Sequence, residues 1–293
     1  MIKGLGTALI TPFQADGSVD YQALARLLDS QLKGTVDYIV VLGTTGEAAT
    51  MTEEEKREVR TFIRKYVNGR LPLVLGVGGN NTAAVCETLK TIDLTGFEAI
   101  LSVCPYYNKP NQEGLYQHFC AVAKASPVPV ILYNVPGRTG VNLLPETVMR
   151  IWEAQPEKIV GIKEASGNVE QIKHLIALST EYRIQTANAD RPNLLVISGD
   201  DGIACEIMEA GGAGLISGAS NAFPEDFWDI VHKKDQVKQA KYENMVRLLF
   251  KEGNPVGIKA VLAQKGIIQN YLRLPLVPAS ETLNNEIKKE MAK

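Results

Sequence analysis

The stretch YIVVLGTTGEAATMTEEEKREVRTFIRKYV, residues 38–67, carries the pattern from which the fold can be predicted. It begins with a short apolar run that ends at glycine, which is typical of a buried β-strand. A candidate capping box, Thr52 with Glu55, follows this run. Apolar residues then recur at the spacing of one helix face, at Val59, Phe62, Ile63, Tyr66 and Val67. The stretch is therefore predicted to form a strand followed by a helix.

The same strand-then-helix unit repeats along the chain. Short apolar runs predict eight strands, at residues 5–10, 38–43, 73–77, 98–103, 129–133, 159–163, 194–199 and 214–217. Helical segments between them favour a parallel sheet, because parallel strands need crossover connections. An open doubly wound sheet would usually carry a dinucleotide-binding glycine motif after its first strand, and residues 11–17 do not contain one. We therefore predict an α/β fold of the closed (β/α)8 TIM-barrel type.

The length of the chain, 293 residues, would suit one large domain or two domains of average size. A barrel of eight units takes roughly 250 residues, and here the eighth unit ends near residue 234. Residues 235–293 contain further helical patterns, without a linker or a low-complexity stretch. We predict a catalytic barrel at residues 1–234. A C-terminal helical extension at residues 235–293 is expected to pack on the barrel as part of a single structural unit.

Composition and charge exclude several classes of function. Hydrophobic residues make up 45% of the chain and the formal net charge is −2, so the broad basic field that non-specific nucleic-acid binding needs is missing. No apolar stretch approaches the ~20 residues that span a bilayer, and no signal-peptide pattern is found. The four cysteines, Cys86, Cys104, Cys120 and Cys205, lie far apart and form no C-x-x-C motif, which indicates reduced thiols rather than a disulfide framework or a zinc site. We expect a cytoplasmic protein without a nucleic-acid or membrane partner.

Polar residues at the carboxyl ends of the strands are the candidates for catalysis, since TIM-barrel enzymes have their active sites there. Side-chain alternation along residues 159–164 points Lys163 into the barrel and Glu164 away from it. Tyr133 ends the neighbouring strand, about 4.8 Å away, so Tyr133 and Lys163 could lie side by side. A neutral lysine amine can attack a carbonyl carbon, and a phenol can transfer the protons that imine formation requires. The alternative is a buried Lys163–Glu164 ion pair, which the alternation disfavours.

Two other strand ends carry groups suited to carboxylates. Residues 43–47 (GTTGE) follow the second strand, and their glycines allow backbone N–H groups and two hydroxyls to approach a small ligand. An ordinary glycine turn is the alternative. Arg138 follows the fifth strand, where its guanidinium could bind a second carboxylate or remain a solvated charge. The three histidines, His118, His174 and His232, lie neither at predicted strand ends nor at ligand spacing, so no metal site is predicted.

Four longer motifs occur in a fixed order along the chain. They are GTTGE at residues 43–47, PYYN at 105–108, YNVPGRTG at 133–140 and GIKEASGN at 161–168. Together they resemble the motifs of the dihydrodipicolinate synthase / N-acetylneuraminate lyase family, and the resemblance extends from Gly4 to Pro275. It implies a class I aldolase-like barrel that condenses or cleaves pyruvate through a lysine imine, without a metal or an organic cofactor.

The resemblance implies a catalytic role for four residues. Lys163 would form the imine. Tyr133 would donate and accept protons, linked through Thr44 to Tyr107. In the family the tyrosine that matches Tyr107 reaches in from a neighbouring subunit. A homo-oligomer is therefore expected, usually a tetramer built as a dimer of dimers.

Substrate binding is implied for three further residues. Thr45 and the backbone around Ile216 match the site of the pyruvate carboxylate. Arg138 matches the residue that the synthase branch uses for the carboxylate of aspartate semialdehyde, and neuraminate lyases usually lack it. We therefore expect condensation of pyruvate with L-aspartate 4-semialdehyde to 4-hydroxy-tetrahydrodipicolinate, in the diaminopimelate route to lysine. Another pyruvate aldolase of the family, such as an N-acetylneuraminate or keto-deoxy-sugar lyase, is the alternative, and a keto-acid-binding barrel without activity is a more distant one.

The chain departs in two places from the family pattern that it resembles. Residues that match the site of lysine inhibition are Ala49, Asn80 and Tyr106. Lys56 and Ala84, however, stand where sensitive enzymes tend to have histidine and glutamate. A cation at position 56 would repel the ammonium of lysine and Ala84 offers no carboxylate to it, so weak or absent inhibition by lysine is expected. The stretch between Lys163 and Gly199 is longer than usual, with residues 187–192 as the predicted insertion.

Overall fold

The computed structural model describes residues 2–33, 35–185 and 192–293. Eight short strands lie in this part of the chain, close to the positions that the apolar runs predict. They are β1 (Gly4–Ala8), β2 (Tyr38–Val41), β3 (Leu73–Gly76), β4 (Ala99–Val103), β5 (Val130–Asn134), β6 (Ile159–Glu164), β7 (Leu195–Ser198) and β8 (Gly214–Ser217). The predicted insertion at 187–192 lies outside the described residues, except for its last residue, Pro192.

Helices alternate with these strands and continue after the last of them. They are α1 (Tyr21–Leu32), α2 (Glu53–Val67), α3 (Thr82–Thr91), α4 (Gln112–Ala125), α5 (Pro136–Thr139), α6 (Pro145–Ala154), α7 (Val169–Gln185), α8 (Ala204–Glu209), α9 (Pro224–His232), α10 (Gln236–Phe250), α11 (Val256–Gln264) and α12 (Glu281–Met291). Helices α10 to α12 confirm that helical segments follow the eight barrel units. Over the described ranges, the structure contains no helix whose length and apolar character would let it span a bilayer.

The eight strands close into a barrel in chain order, from β1 to β8, which confirms the predicted (β/α)8 fold. By its internal contacts the chain divides into two compact units. One comprises the chain up to Leu73 together with Ile216–Lys293, and the other is Val74–Leu215. The boundary between residues 234 and 235 stays a prediction.

Two strands, β1 and β2, end two residues before their predicted ends, and local geometry explains both cases. β2 ends at Val41 because Leu42 adopts a φ of 55°, in the left-handed region that strand residues do not use. β1 ends at Ala8, and two residues later the backbone N–H of Ile10 donates to Oδ1 of Asn221 at 3.1 Å instead of continuing a ladder. Neither feature follows from hydrophobicity, so the predicted ends at residues 43 and 10 were wrong.

Helix α2 has the start that its sequence predicts. The Thr52 hydroxyl accepts from the Glu55 N–H, and the Glu55 carboxylate accepts from the Thr52 N–H at 2.9 Å, so both halves of the capping box are present. Of the predicted apolar face, only part is fully buried, namely Val59, Ile63 and Val67. Phe62 and Tyr66 remain half-buried and stack on each other at 5.8 Å between ring centroids.

The Glu55 carboxylate also binds Arg273, far along the chain. Nη1 of Arg273 donates to Oε2 of Glu55 at 2.8 Å, and Nη2 contacts the other carboxylate oxygen. The Arg273 guanidinium lies 4.4 Å from the ring centroid of Phe13, so it is held on a second side. Hydrogen bonds from Arg273 lower the pKa of Glu55 to about 2. The Glu55–Arg273 ion pair therefore links the start of α2 to the segment between α11 and α12.

We expect this ion pair to make the stability of the protein depend on pH in acid. The pKa of Glu55 is lower in the folded protein than in the unfolded chain, where 4.5 is the ordinary value. Between these values the unfolded chain binds more protons, so the free energy of unfolding falls as the pH falls from about 4.5 to about 2. Glu55→Gln preserves the capping box but removes this proton-linked contribution.

Urea unfolding of wild type and Glu55→Gln at several pH values in this range measures the effect. The difference in unfolding free energy between the two proteins should shrink as the pH falls. Glu54→Gln, on the exposed side of the same helical turn, is the control and should follow the wild type. A difference that stays constant with pH would contradict the prediction.

Candidate active site

Lys163 and Tyr133 lie directly opposite each other on neighbouring strands. β5 pairs with β6 in parallel, and the register places Tyr133 against Lys163 and Asn134 against Glu164. Nζ of Lys163 lies 4.5 Å from the centroid of the Tyr133 ring. Both side chains are buried, with exposed fractions of 7% and 6%. The predicted side-by-side placement of the amine and the phenol is confirmed.

The carboxylate of Glu164 has partners other than Lys163. It accepts hydrogen bonds from Nδ2 of Asn134 at 2.9 Å, from the N–H of Ser166 at 2.8 Å and from Nε2 of Gln171 at 3.1 Å. Burial raises the pKa of this carboxyl group, although the three donors oppose the shift. Among the described residues no ion pair joins Lys163 to Glu164, as the alternation along β6 predicted. The amine is therefore not neutralised by its neighbour in the chain.

Gly199, directly after β7, packs on Lys163, and no sequence pattern singles it out. Its N–H donates to the carbonyl oxygen of Glu164 at 2.7 Å. A Cβ atom at position 199 would lie 2.6 Å from Cβ of Ala165 and 2.9 Å from Cε of Lys163, closer than real Cβ atoms approach. A glycine after a strand usually signals only a turn. Here it leaves room for the lysine side chain.

Replacing Gly199 with alanine should displace the Lys163 side chain. We expect turnover to fall by roughly 100-fold, since a shift of about 1 Å in a reacting group can have that effect. Steady-state kinetics with pyruvate and aspartate semialdehyde measures the loss, with circular dichroism as a check of folding. Gly137→Ala is the matched control, because a Cβ at that position would meet no atom within 4 Å. Equal losses in both variants would contradict the steric explanation.

Tyr107 projects from the protein surface, and its backbone is fixed. Its side chain is 88% exposed and its φ is 73°. Its N–H points to the carbonyl oxygen of Thr139 at 3.4 Å. The adjacent residues are tied to Asn80, whose Nδ2 donates to the Tyr106 carbonyl at 3.0 Å and whose carbonyl accepts from Nδ2 of Asn108 at 2.9 Å. An exposed aromatic ring is thus held on a well-bonded loop.

Arg138 lies on the short helix α5, on the same turn that contacts the Tyr107 backbone. Its N–H donates to the Val135 carbonyl at 2.9 Å, and its side chain is exposed. The buried hydroxyl of Thr139 donates to the Val141 carbonyl at 3.0 Å, and Gly140 ends the helix with a φ of 75°. The chain thus presents the guanidinium from a rigid turn.

The remaining predicted site residues belong to the unit that contains both chain ends. Thr44 and Thr45 lie in a 3₁₀ turn after β2, Thr44–Gly46. The Thr44 side chain is exposed, whereas Thr45 is buried and its Oγ1 accepts a hydrogen bond from Nδ2 of Asn254 at 2.9 Å. Ile216 is buried within β8.

The histidines lie on helices. His118 is on α4, His174 on α7 and His232 at the end of α9. Burial lowers the pKa of His118 to about 4. No cluster of three or more histidine, cysteine or acidic side chains that could hold a metal ion is found within residues 2–33, 35–185 and 192–293.

A closed (β/α)8 barrel with a buried lysine at a strand end, facing a tyrosine, defines a class of barrel enzyme that is suited to react with carbonyl compounds. Comparison with known proteins assigns the family within this class. The chain belongs to the dihydrodipicolinate synthetase family, whose family model matches residues 1–293. The predicted family is confirmed.

Individual relatives agree with this assignment over nearly their whole length. A 4-hydroxy-tetrahydrodipicolinate synthase of Phocaeicola vulgatus is 49% identical over 288 residues, which cover 96% of this chain and 93% of the relative. A dihydrodipicolinate synthase structure from Thermotoga maritima has a TM-score of 0.92 at 37% identity, covering 100% of this chain and 98% of that one. A chloride-inhibited synthase from Acinetobacter baumannii, complexed with pyruvate, has a TM-score of 0.91 at 38% identity, with the same coverage.

Proposed function

We propose that this protein is a lyase that condenses pyruvate with L-aspartate 4-semialdehyde to 4-hydroxy-tetrahydrodipicolinate, in the diaminopimelate route to lysine. The observation that carries the proposal is the buried Lys163 amine beside the Tyr133 ring, with Glu164 bonded elsewhere. The names of the relatives support the same reaction. Incubating the purified protein with both substrates and measuring formation of the cyclic product tests it directly. Activity with N-acetylneuraminate, and none with the semialdehyde, would instead favour the lyase branch of the family.

The first half of the reaction is proposed to take place on Lys163. The lone pair of Nζ forms a bond to C2 of pyruvate, and the C2 oxygen leaves as water after two proton transfers, which gives the imine. Tyr133 lies opposite Lys163 on the neighbouring strand, and we propose that its hydroxyl carries these protons. By family resemblance, Thr44 and Tyr107 extend this proton path. The reaction as proposed needs no cofactor.

The second half joins the two substrates. Loss of a proton from C3 of the imine gives an enamine, whose C3 attacks the aldehyde carbon of the semialdehyde while the aldehyde oxygen takes up a proton. The amino group of the semialdehyde then attacks C2 of the imine and displaces Nζ of Lys163, which closes the ring and restores the free amine. We propose that Thr45 and the backbone at Ile216 bind the carboxylate of pyruvate, and that Arg138 binds the carboxylate of the semialdehyde. A guanidinium suits this role because it offers two parallel N–H donors to a carboxylate.

Replacing Arg138 with alanine should weaken binding of the semialdehyde selectively. The loss of a hydrogen bond to a charged group, about 1.5–3 kcal/mol, corresponds to roughly a 10- to 150-fold rise in the semialdehyde KM. The pyruvate KM should change little. Arg150→Ala, an exposed arginine that pairs with Glu113 at 3.0 Å, is the control. If semialdehyde kinetics survive in Arg138→Ala, Arg138 does not select the substrate.

We also propose that the protein works in the cytoplasm as a homo-oligomer, in the form of a tetramer of two dimers. The exposure of Tyr107 on a fixed loop supports a contact with a second copy, since a large exposed aromatic ring is suited to burial in an interface. The proposal that the oligomer is a tetramer is based on the family resemblance.

We also propose that inhibition by lysine is weak or absent. The ammonium of Lys56 pairs with the Glu53 carboxylate at 2.8 Å, so its charge is partly compensated and its repulsion of an incoming lysine is reduced. Ala84 is exposed on α3 and offers no carboxylate. The missing carboxylate is therefore a stronger reason than the cation to expect weak inhibition.

A further inference from the structure

We propose that Asn254 is a positioning residue that turns the Thr45 hydroxyl toward the pyruvate carboxylate, and that the buried Lys259–Glu47 ion pair holds the same turn in place. This inference rests on the proposed function, because it assigns a purpose to residues around the proposed pyruvate site. All four residues belong to the unit that contains both chain ends. Asn254 and Lys259 come from the C-terminal helical region and act on the turn after β2.

The hydrogen bond to Asn254 decides which way the Thr45 proton points. Nδ2 of Asn254 donates to Oγ1 of Thr45 at 2.9 Å, and Thr45 is only 4% exposed. An amide nitrogen only donates, so the hydroxyl oxygen accepts in this contact. The single proton of the hydroxyl is therefore left for another acceptor. A carboxylate, which only accepts, is the complementary ligand.

The other end of the turn is held by Glu47. This residue has a φ of 54°, and its N–H donates to the Thr44 carbonyl at 3.2 Å. Its buried carboxylate contacts the ammonium of Lys259 and accepts from the N–H of Arg273 at 3.2 Å. A glutamate in the left-handed region is uncommon, and such residues concentrate at functional sites. These side-chain contacts hold the backbone of the turn in the conformation that positions Thr45.

Lys259 is enclosed on several sides. Its side chain is fully buried, its Nζ donates to the Tyr271 carbonyl at 3.0 Å, and it lies 4.2 Å from the centroid of the Phe13 ring. Burial lowers the pKa of this amine. A second reactive amine is the competing interpretation of a buried lysine. The contacts with Glu47, Tyr271 and Phe13 leave no approach for a carbonyl substrate, so a positioning role fits better.

Stability alone does not explain this arrangement. A buried ion pair often stabilises a fold no better than an apolar pair of the same volume. Its acidic member, Glu47, lies two residues after Thr45 in the chain and has a strained backbone, so the effect of the pair is local to the turn. We infer that it restricts the backbone next to the pyruvate carboxylate.

Two variants of Asn254 test the first part. Asn254→Asp keeps the shape but has no proton to give, so the Thr45 hydroxyl would donate to it and present lone pairs to the substrate. We expect the pyruvate KM to rise at least about tenfold in Asn254→Asp, and less in Asn254→Ala. The semialdehyde KM should stay near its wild-type value. If Asn254 only fills space, the order of the two variants is reversed: Asn254→Asp should have a pyruvate KM close to that of wild type, and Asn254→Ala should have the higher one.

Variants of the ion pair test the second part. Lys259→Met leaves the Glu47 carboxylate buried without its cation, and the pyruvate KM should rise. The double variant Lys259→Met/Glu47→Gln also removes the negative charge of the buried, unpaired carboxylate. Its pyruvate KM should therefore lie between those of Lys259→Met and wild type. Lys265→Met, which removes a lysine whose Nζ donates to the Ala222 carbonyl, is the control and should keep wild-type kinetics. If Lys259→Met fails to fold, the double variant and the Asn254 pair still decide the proposal.

The outcomes separate this inference from the proposed function. Wild-type pyruvate KM in Asn254→Asp, or parallel rises in both substrate KM values, would overturn the inference while the reaction itself stands. If wild-type protein forms no covalent adduct with pyruvate and borohydride, the proposed function fails and the inference falls with it. A selective rise in the pyruvate KM, together with normal trapping at saturating pyruvate, supports both.

Discussion

Lys163→Ala should have no measurable turnover of pyruvate and aspartate semialdehyde. The variant lacks the amine that forms the bond to pyruvate. Within β5 and β6, which the structure describes in full, no other lysine lies opposite a tyrosine and could replace it. Loss of a covalent nucleophile lowers kcat on the order of 10⁴-fold or more. The coupled assay of the proposed reaction measures this loss directly.

The control for this variant is Lys124→Ala, an exposed lysine of the same unit at the end of α4. It should keep wild-type kinetics, which shows that removal of a lysine as such is harmless. Turnover by Lys163→Ala at more than a trace of the wild-type rate would mean that the imine is not formed at this residue.

Tyr133→Phe should fold normally but lose most of its activity. Phenylalanine keeps the ring against which Nζ of Lys163 lies, at 4.5 Å from the centroid, and removes only the hydroxyl. Proton transfer by a positioned side chain contributes about 10²–10⁴-fold to rate, so we expect kcat to fall by that factor. Stopped-flow measurement of imine formation with pyruvate should show the same slowing.

Tyr116→Phe is the matched control for this experiment. Its ring also carries a cation, since the Arg150 guanidinium lies 4.4 Å from its centroid. Tyr116→Phe removes the same hydroxyl oxygen from a similar contact between a cation and a ring, but it does so away from the proposed active site. Turnover should therefore be unchanged. Equal turnover in Tyr133→Phe and wild type would rule out the phenol as the proton carrier.

Features that depend on local pattern could be predicted from the sequence. Short apolar runs bounded by Gly, Pro, Asn and Asp indicate all eight strands, because a buried strand needs only a few apolar residues and a turn at each end. Alternation along β6 separates Lys163 from Glu164, and chain order makes Tyr133 its neighbour. The period-two geometry of a strand is therefore enough to place the proposed imine pair side by side.

Features that depend on distant contacts could not be predicted. Asn254 and Thr45 are 209 positions apart, and no periodicity links them. The steric need for Gly199 arises across two strands, where its missing Cβ makes room for Lys163. The strand end at Leu42 depends on a backbone angle rather than on hydrophobicity. Such contacts are fixed by the closure of the fold, so they become visible only in three dimensions.

The most direct test of the central claim is to trap the imine. Wild-type protein is incubated with pyruvate and sodium borohydride, and intact mass and peptide mapping locate the reduced adduct. We predict one carboxyethyl group per chain, on Lys163, and none in Lys163→Ala. An unmodified wild-type chain, or an adduct on another lysine such as Lys259, would contradict imine formation at Lys163.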